Sequence, residues 1–378
     1  MTRRRLAGLL AGGLLVLPAG SGAASAPAPA VHGYVQVWAT LYEELENGLR
    51  QAGSNDLAQQ EVSGFSLRRA RVSFADSLGR AALRYRVEVL LEKSARLTDC
   101  YLAARLGRHL EVQVGQMKIP STYEVAASST RLDFVERAAV SARAPDWALS
   151  RTPYIATFMG NQSFLRDVGV ALEGRAGPVR WRGMVGNGLG ANLFVGGTQH
   201  REFVLTNRAG RWFYGVRADV EAVPWLMLGA HGSLNRHDDM LFNDQRTVID
   251  LDRRSASADV LLRLPAAVRV QGLWAAGAVD DAYYRDGKTN YQYTGYELRA
   301  LWWPWPERVE TGLRFDRYAD ETGQSGDRVV QDTWTLGVNL RHGPQARLQV
   351  NYLLRDTDQR YEPDRDDDAL LANVQVTF

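Results

Sequence analysis

Five arginines stand at even spacing in two neighbouring stretches, Arg69 and Arg71, then Arg80, Arg84 and Arg86. In an extended chain, residues two apart point the same way. Each stretch therefore gathers its guanidiniums on one face, while Val72, Phe74, Leu83, Tyr85, Val87 and Val89 take the other. A guanidinium is always charged, and its planar fork of donors matches phosphate or carboxylate in a two-pronged way. A row of them on a wet wall would bind or pass anions. Lys118, Arg131 and Arg137 add three more cations at the start of, or within, a long connection near 119–166. That connection also carries Glu124, Asp133, Glu136 and Asp146. Asp133 and Glu136 sit beside Arg131 and Arg137 and are expected to compete with an incoming anion, which predicts weak affinity for phosphate. The plainer alternative is a set of ion pairs that only holds the wall together.

Catalysis leaves no signature. There is no Gly-x-Ser-x-Gly elbow, no phosphate-binding loop and no His-Glu-x-x-His pair. The six histidines are scattered; His231 shares the parity of Ser233 and is expected to line a lumen. Cys100 is the single cysteine, so no disulfide within the chain is possible, and it reads as a small wall residue. The Gly186–Gly190 run ends a strand and precedes no helix. Asp364 and Asp366–Asp368 read as a solvated loop rather than a calcium or lipopolysaccharide site. No enzyme activity, cofactor or metal is expected.

Sixteen segments alternate apolar with polar residues, from Tyr34–Tyr42 through Phe65–Ala75, Arg80–Glu92, Thr98–Leu106 and Leu110–Lys118 to Ala346–Arg355 and Leu370–Phe378. In the fifteenth, Ala346, Leu348, Val350, Tyr352 and Leu354 oppose Arg347, Gln349, Asn351 and Arg355. The connections sort by length. Long ones follow the odd strands, apart from a short link near 93–97. Short ones, such as Ala176-Gly177-Pro178, Pro265-Ala266 and Pro304–Glu307, follow the even strands. Short turns at one end, long loops at the other and an even strand number are the pattern of a transmembrane β-barrel. Trp225, Trp302, Trp303, Trp305 and Phe378 gather near the short turns as one aromatic girdle. The reading is an all-β protein, a 16-stranded antiparallel transmembrane barrel with short periplasmic turns, long external loops and an inward-folded third loop at about 119–166.

The first residues read as an export signal: Arg3–Arg5, then the apolar run Leu6–Leu17, then small residues from Gly20 to Ala30. The signal is placed at 1–26, with cleavage between 22 and 30, and the barrel at 31–378. Mean hydropathy is −0.28, as expected where only alternate residues meet lipid. Without Arg3–Arg5 the chain holds 42 basic residues against 43 acids, a net charge of −1. Bulk charge thus gives no reason to expect nucleic acid. Lysine occurs only at 93, 118 and 288.

Several runs resemble one family. Phe65-Ser66-Leu67-Arg68-Arg69-Ala70-Arg71 is similar to the early arginine-rich strand of the phosphate-selective porin O and P family. Gly115-Gln116-Met117-Lys118-Ile119-Pro120, Phe134-Val135-Glu136-Arg137, Arg166-Asp167-Val168-Gly169-Val170 and Asn187-Gly188 follow in the family's order. The resemblance covers about 65–190. It implies a sixteen-stranded trimeric porin of the bacterial outer membrane, with a third loop folded into the pore. The family's phosphate channels use an arginine ladder with a lysine cluster, and this chain departs by its near lack of lysine. The expected function is passive diffusion of small anions or polar solutes, with phosphate or polyphosphate among them. Expected partners are outer-membrane lipid, lipopolysaccharide, small anions and two further copies in a homotrimer. The alternative is a closed barrel serving as adhesin, anchor or lipid-acting enzyme.

Overall fold

The computed structural model describes residues 30–42, 63–78, 83–91, 95–143, 165–187, 212–241, 248–284, 287–322, 328–359, 362–366 and 368–378. The expected signal, Arg80 and the second half of the third connection, 144–164, lie outside the described residues. The strands are β1 (Ala30–Tyr42), β2 (Gly64–Leu78), β3 (Leu83–Leu90), β4 (Arg96–Arg105), β5 (Leu110–Lys118), β6 (Arg166–Ala176), β7 (Val179–Gly186) and β8 (Phe213–Val223). Then come β9 (Leu226–Leu241), β10 (Val248–Leu264), β11 (Val268–Tyr284), β12 (Gly287–Trp305), β13 (Val309–Thr322), β14 (Arg328–His342), β15 (Ala346–Gln359), β16 (Glu362–Asp366) and β17 (Ala369–Thr377).

Each strand pairs antiparallel with its neighbour in sequence, and β1 pairs with both β2 and β17. The wall is closed. Gly33 and Phe378 exchange backbone hydrogen bonds of 2.8 and 2.9 Å at the seam. β15 pairs directly with β17, so β16 is a short outgrowth of the last loop and sixteen strands make the barrel. Closure leaves no edge with unpaired peptide groups, which a wall facing hydrocarbon requires. From β9 to β15 the strands run 14–19 residues. There they outrun the alternating segments read from sequence at the end away from the short turns. The pairing continues into the long connections, where polar residues no longer alternate cleanly.

The two faces separate by parity. On β14, Trp334, Leu336, Val338 and Leu340 point outward and are exposed, while Thr333, Thr335 and Asn339 point inward and are buried. Rows of exposed large apolar residues on every side suit an apolar solvent, not water. Trp225, Trp302, Trp305 and Phe378 are among the most exposed of them, at 51–60%. Trp303 departs from the expected girdle: it turns inward, and the Arg269 guanidinium lies 5.2 Å from its ring. At the other end the outer face closes with ion pairs, Arg236–Asp252, Arg254–Asp280 and Arg317–Asp332, at 3.2–3.7 Å. An arginine at mid-depth in lipid costs about 2–4 kcal/mol, falling toward the interface. These pairs therefore mark where the apolar band ends.

Candidate functional site

The inner face of β11–β15 receives residues 119–143. Gly312 on β13 and Gly337 on β14 are direct partners in the ladder. With no side chains there, the wall opens a slot, and Phe134 fills it at 1% exposure. A Cβ on Gly337 would stand 2.9 Å from the Phe134 ring and 2.7 Å from Asn351 Nδ2; one on Gly312 would meet the ring at 3.0 Å. Arg314 covers the ring, its Cζ 4.8 Å from the centroid. Gly337→Val should therefore destabilise the barrel by about 1–3 kcal/mol, as overpacked sites do. Gly183→Val, on the outer face where a Cβ meets nothing within 4 Å, should not. Urea titration of the folded barrel checks both. Equal midpoints would mean that Phe134 does not need the slot.

Irregular backbone inside a barrel must find partners for its amides and carbonyls. Here the wall supplies them. Asn339 Nδ2 donates to Asp133 O at 2.7 Å, and Arg347 and Gln349 donate to Leu132 O at 2.9 and 3.2 Å. Val135 N donates to Asn351 Oδ1 at 2.6 Å, and Ala139 N to Asp316 Oδ1 at 2.9 Å. Arg314 Nη1 donates to Glu136 O at 2.8 Å. Two short helices, α1 (Tyr123–Ala126) and α2 (Ala139–Arg143), absorb more of the backbone. Thr122 caps α1, its Oγ1 accepting from Val125 N at 3.3 Å.

The acids of this segment all turn to the same sector of the wall. Glu124 meets Arg299 at 3.2 Å, Asp133 meets Arg299 at 3.2 Å and also pairs with Arg269, and Glu136 meets Arg355 at 2.8 Å. This corrects the expectation that Asp133 and Glu136 compete beside Arg131 and Arg137. Neighbours in sequence, they face different walls, because an irregular segment does not keep its charges on one side. One ground for weak phosphate affinity goes with it, while the scarcity of lysine and the acids of the lumen wall stand.

The sector of β1–β5 has the opposite character. Of the expected anion-binding row, Arg71 pairs with Glu88 at 3.1 Å, Arg86 with Glu88 at 2.7 Å and with Asp99 at 3.7 Å, and Arg84 with Glu111. Arg166 joins them through Asp99 at 2.6 Å and Glu88 at 3.5 Å. Glu88 is anchored further by Thr98, whose Oγ1 donates at 2.8 Å. These arginines are structural partners of acids; the expectation that strands two and three present a free row fails at Arg71, Arg84 and Arg86. The reason is cross-strand: Glu88 lies opposite Asp99 in the ladder, and each acid brings its own cation.

Among the described residues, the cations without an ion pair include Arg68, Arg69, Lys118, Arg131 and Arg137, and on the inner wall also Arg180 and Arg347. Arg69 donates to Gln36 Oε1 at 3.1 Å. Lys118 Nζ donates to the carbonyls of Val125, Ala126 and Ala127 at 3.2, 3.2 and 2.7 Å. Arg137 donates to the carbonyls of Glu124 at 3.3 Å and Ala127 at 3.5 Å. Burial holds the Arg137 guanidinium below its usual range; Glu124 pulls back, while Arg71 and Arg166 push it further down. Arg137 thus lies within the field of Arg71 on β2 and Arg166 on β6. Arg131 is exposed, with no side-chain partner on β2 or β3 among the described residues.

Sequence reasoning missed Arg68, Trp38, the paired glycines and the amides of β14–β15. Arg68 was hidden by a bulge: Gln36 pairs with Arg69 and Val37 with Leu67, leaving Arg68 unpaired and breaking the alternation. His231 does line the interior, buried, with Ser257 Oγ 3.4 Å from Nδ1. Cys100 is a free, half-buried wall residue.

A closed sixteen-stranded antiparallel barrel with this inner charge is the fold of the outer-membrane porins. OmpT of Vibrio cholerae, in a trimer form, superposes with a TM-score of 0.60 at 10% identity over 92% of this chain and 98% of its own. The anion-selective porin of Comamonas acidovorans does so at 0.58 and 13% over 92% and 99%, and the DcaP channel of Acinetobacter baumannii at 0.57 and 11% over 92% and 96%. The family model of the phosphate-selective porins O and P matches residues 44–202, so the resemblance seen in the motifs holds over that stretch. No curated protein matches the chain in sequence.

Proposed function

We infer that this chain is a passive channel of the bacterial outer membrane for small anions, oxyanions such as phosphate and polyphosphate among them. One observation carries the reading: the acids of 119–143 are neutralised by the β11–β15 sector, while Arg68, Arg69, Lys118, Arg131 and Arg137 have no carboxylate partner among the described residues. Charge lining a narrow pore sets which ions enter. The 119–143 segment is the constriction, and the uncompensated cations are its anion-binding lining. Arg71, Arg84 and Arg86 hold that lining in place. No covalent chemistry is required of any residue.

Residues 1–26 direct export, and the apolar outer face sits in outer-membrane lipid and lipopolysaccharide. Three copies assemble, as the trimer form of the Vibrio cholerae relative suggests. Single-channel recording of purified, folded protein in planar bilayers tests the channel itself. Discrete conductance steps are expected. Their absence would favour a closed barrel acting as adhesin, anchor or lipid-acting enzyme.

A further inference from the structure

β1 presents Tyr34, Gln36 and Trp38 to the interior, directly beside the arginines of β2. The Arg68 guanidinium lies 4.7 Å from the Trp38 ring centroid and that of Arg69 lies 5.8 Å away. Arg71 lies 5.9 Å from the ring of Tyr34. The bulge at Gln36/Val37 explains why two consecutive arginines reach one ring, since a bulge inserts a residue and re-aims its side chain. Trp38 itself is fixed: it is 6% exposed and packs with Val135, Leu353, Ala369 and Leu371. Tyr34 is locked from the other side, its hydroxyl 2.5 Å from Ser129 Oγ.

We propose that Trp38 is a positioning residue that holds Arg68 and Arg69 side by side as a two-guanidinium seat for an oxyanion carrying more than one charged oxygen. Two adjacent like charges repel, and free arginine side chains would spread apart. An indole face attracts a guanidinium by about 0.5–1 kcal/mol at an exposed site and about 2 kcal/mol when desolvated. One rigid ring under both guanidiniums keeps their donor edges together. Arg68 forms no hydrogen bond or ion pair among the described residues, so the ring is what holds its guanidinium. A chloride ion, with a single charge, gains little from two forks; a sulfate-like oxyanion can engage both.

The inference rests on the anion-channel reading, and the test separates the two. Sulfate block of the chloride current is measured in wild type, Trp38→Leu, Trp38→Phe and Arg68→Gln. Leucine keeps the apolar contact with Val135 and Leu371 but removes the π face. Phenylalanine keeps a face, and loses no hydrogen bond, because the indole Nε1 has no acceptor among the described residues. The half-blocking sulfate concentration should rise about twofold to fivefold in Trp38→Leu, the range a cation–π contact of 0.5–1 kcal/mol implies. It should rise similarly in Arg68→Gln and stay unchanged in Trp38→Phe. Arg68→Gln placed on Trp38→Leu should add nothing. An anion-selective channel whose sulfate block is indifferent to Trp38→Leu overturns the seat and leaves the channel reading standing. A cation-selective wild type overturns the reading beneath it. Should Trp38→Leu not fold, a wild-type block in Arg68→Gln overturns the seat equally.

Discussion

Replacing Arg299 with methionine should cost the barrel about 3–5 kcal/mol, the penalty for removing one member of a buried ion network. Arg299 is 2% exposed. It meets Glu124 at 3.2 Å, Asp133 at 3.2 Å and Glu297 at 3.1 Å, and its Nε donates to Gln271 Oε1 at 3.1 Å. Methionine would leave Glu124 and Glu297 buried without their cation. Asp133 would keep only Arg269. Two of those acids belong to the segment inside the barrel, so the loss falls on its docking as well as on the wall. A contrasting variant, Arg317→Met, removes the outer-face pair with Asp332, where both groups are partly exposed. That pair should be worth about 0–1 kcal/mol. Urea titration of folded barrels separates the two. A Arg299→Met midpoint equal to that of Arg317→Met would show that the network does not hold the segment.

The second large effect is on ion preference. Arg69→Glu combined with Arg137→Glu should turn an anion-preferring pore into a cation-preferring one. Neither residue has a carboxylate ion-pair partner among the described residues, and the charge of Arg137 acts on Arg69. Two reversals change the local charge by four units. The same exchange at Arg84, already paired with Glu111, should weaken preference far less. Reversal potential under a salt gradient distinguishes the variants. An unchanged sign in the double variant would place the selective charge elsewhere.

The barrel was legible in the sequence because its faces obey a period of two, and because turn lengths sort by end. β5 was readable to the residue, Leu110–Lys118, since polar turn residues bound it on one side and Pro120 follows on the other. The site was legible only in part. Parity correctly put Arg69, Arg71, Arg84 and Arg86 inside, but it cannot say which inward charges meet. Glu88 and Asp99 take Arg71 and Arg86, Glu111 takes Arg84, and those meetings depend on register. Arg68 was lost because one bulge reverses parity. The slot for Phe134 needs Gly312 and Gly337 to be ladder partners, 25 positions apart in sequence, and nothing local announces it. The destination of Asp133 and Glu136 was misread for the same reason: in an irregular segment, adjacency in sequence says little about facing.

The acids of 119–143 are paired to the β11–β15 sector, and the cations left unpaired should then govern which ion crosses. The most direct measurement is the zero-current potential of wild-type protein in planar bilayers, with potassium chloride more concentrated on one side. A potential of the sign set by faster chloride passage is the predicted result. A potential of the sign set by faster potassium passage would contradict it, because the unpaired cations would then not govern which ion crosses.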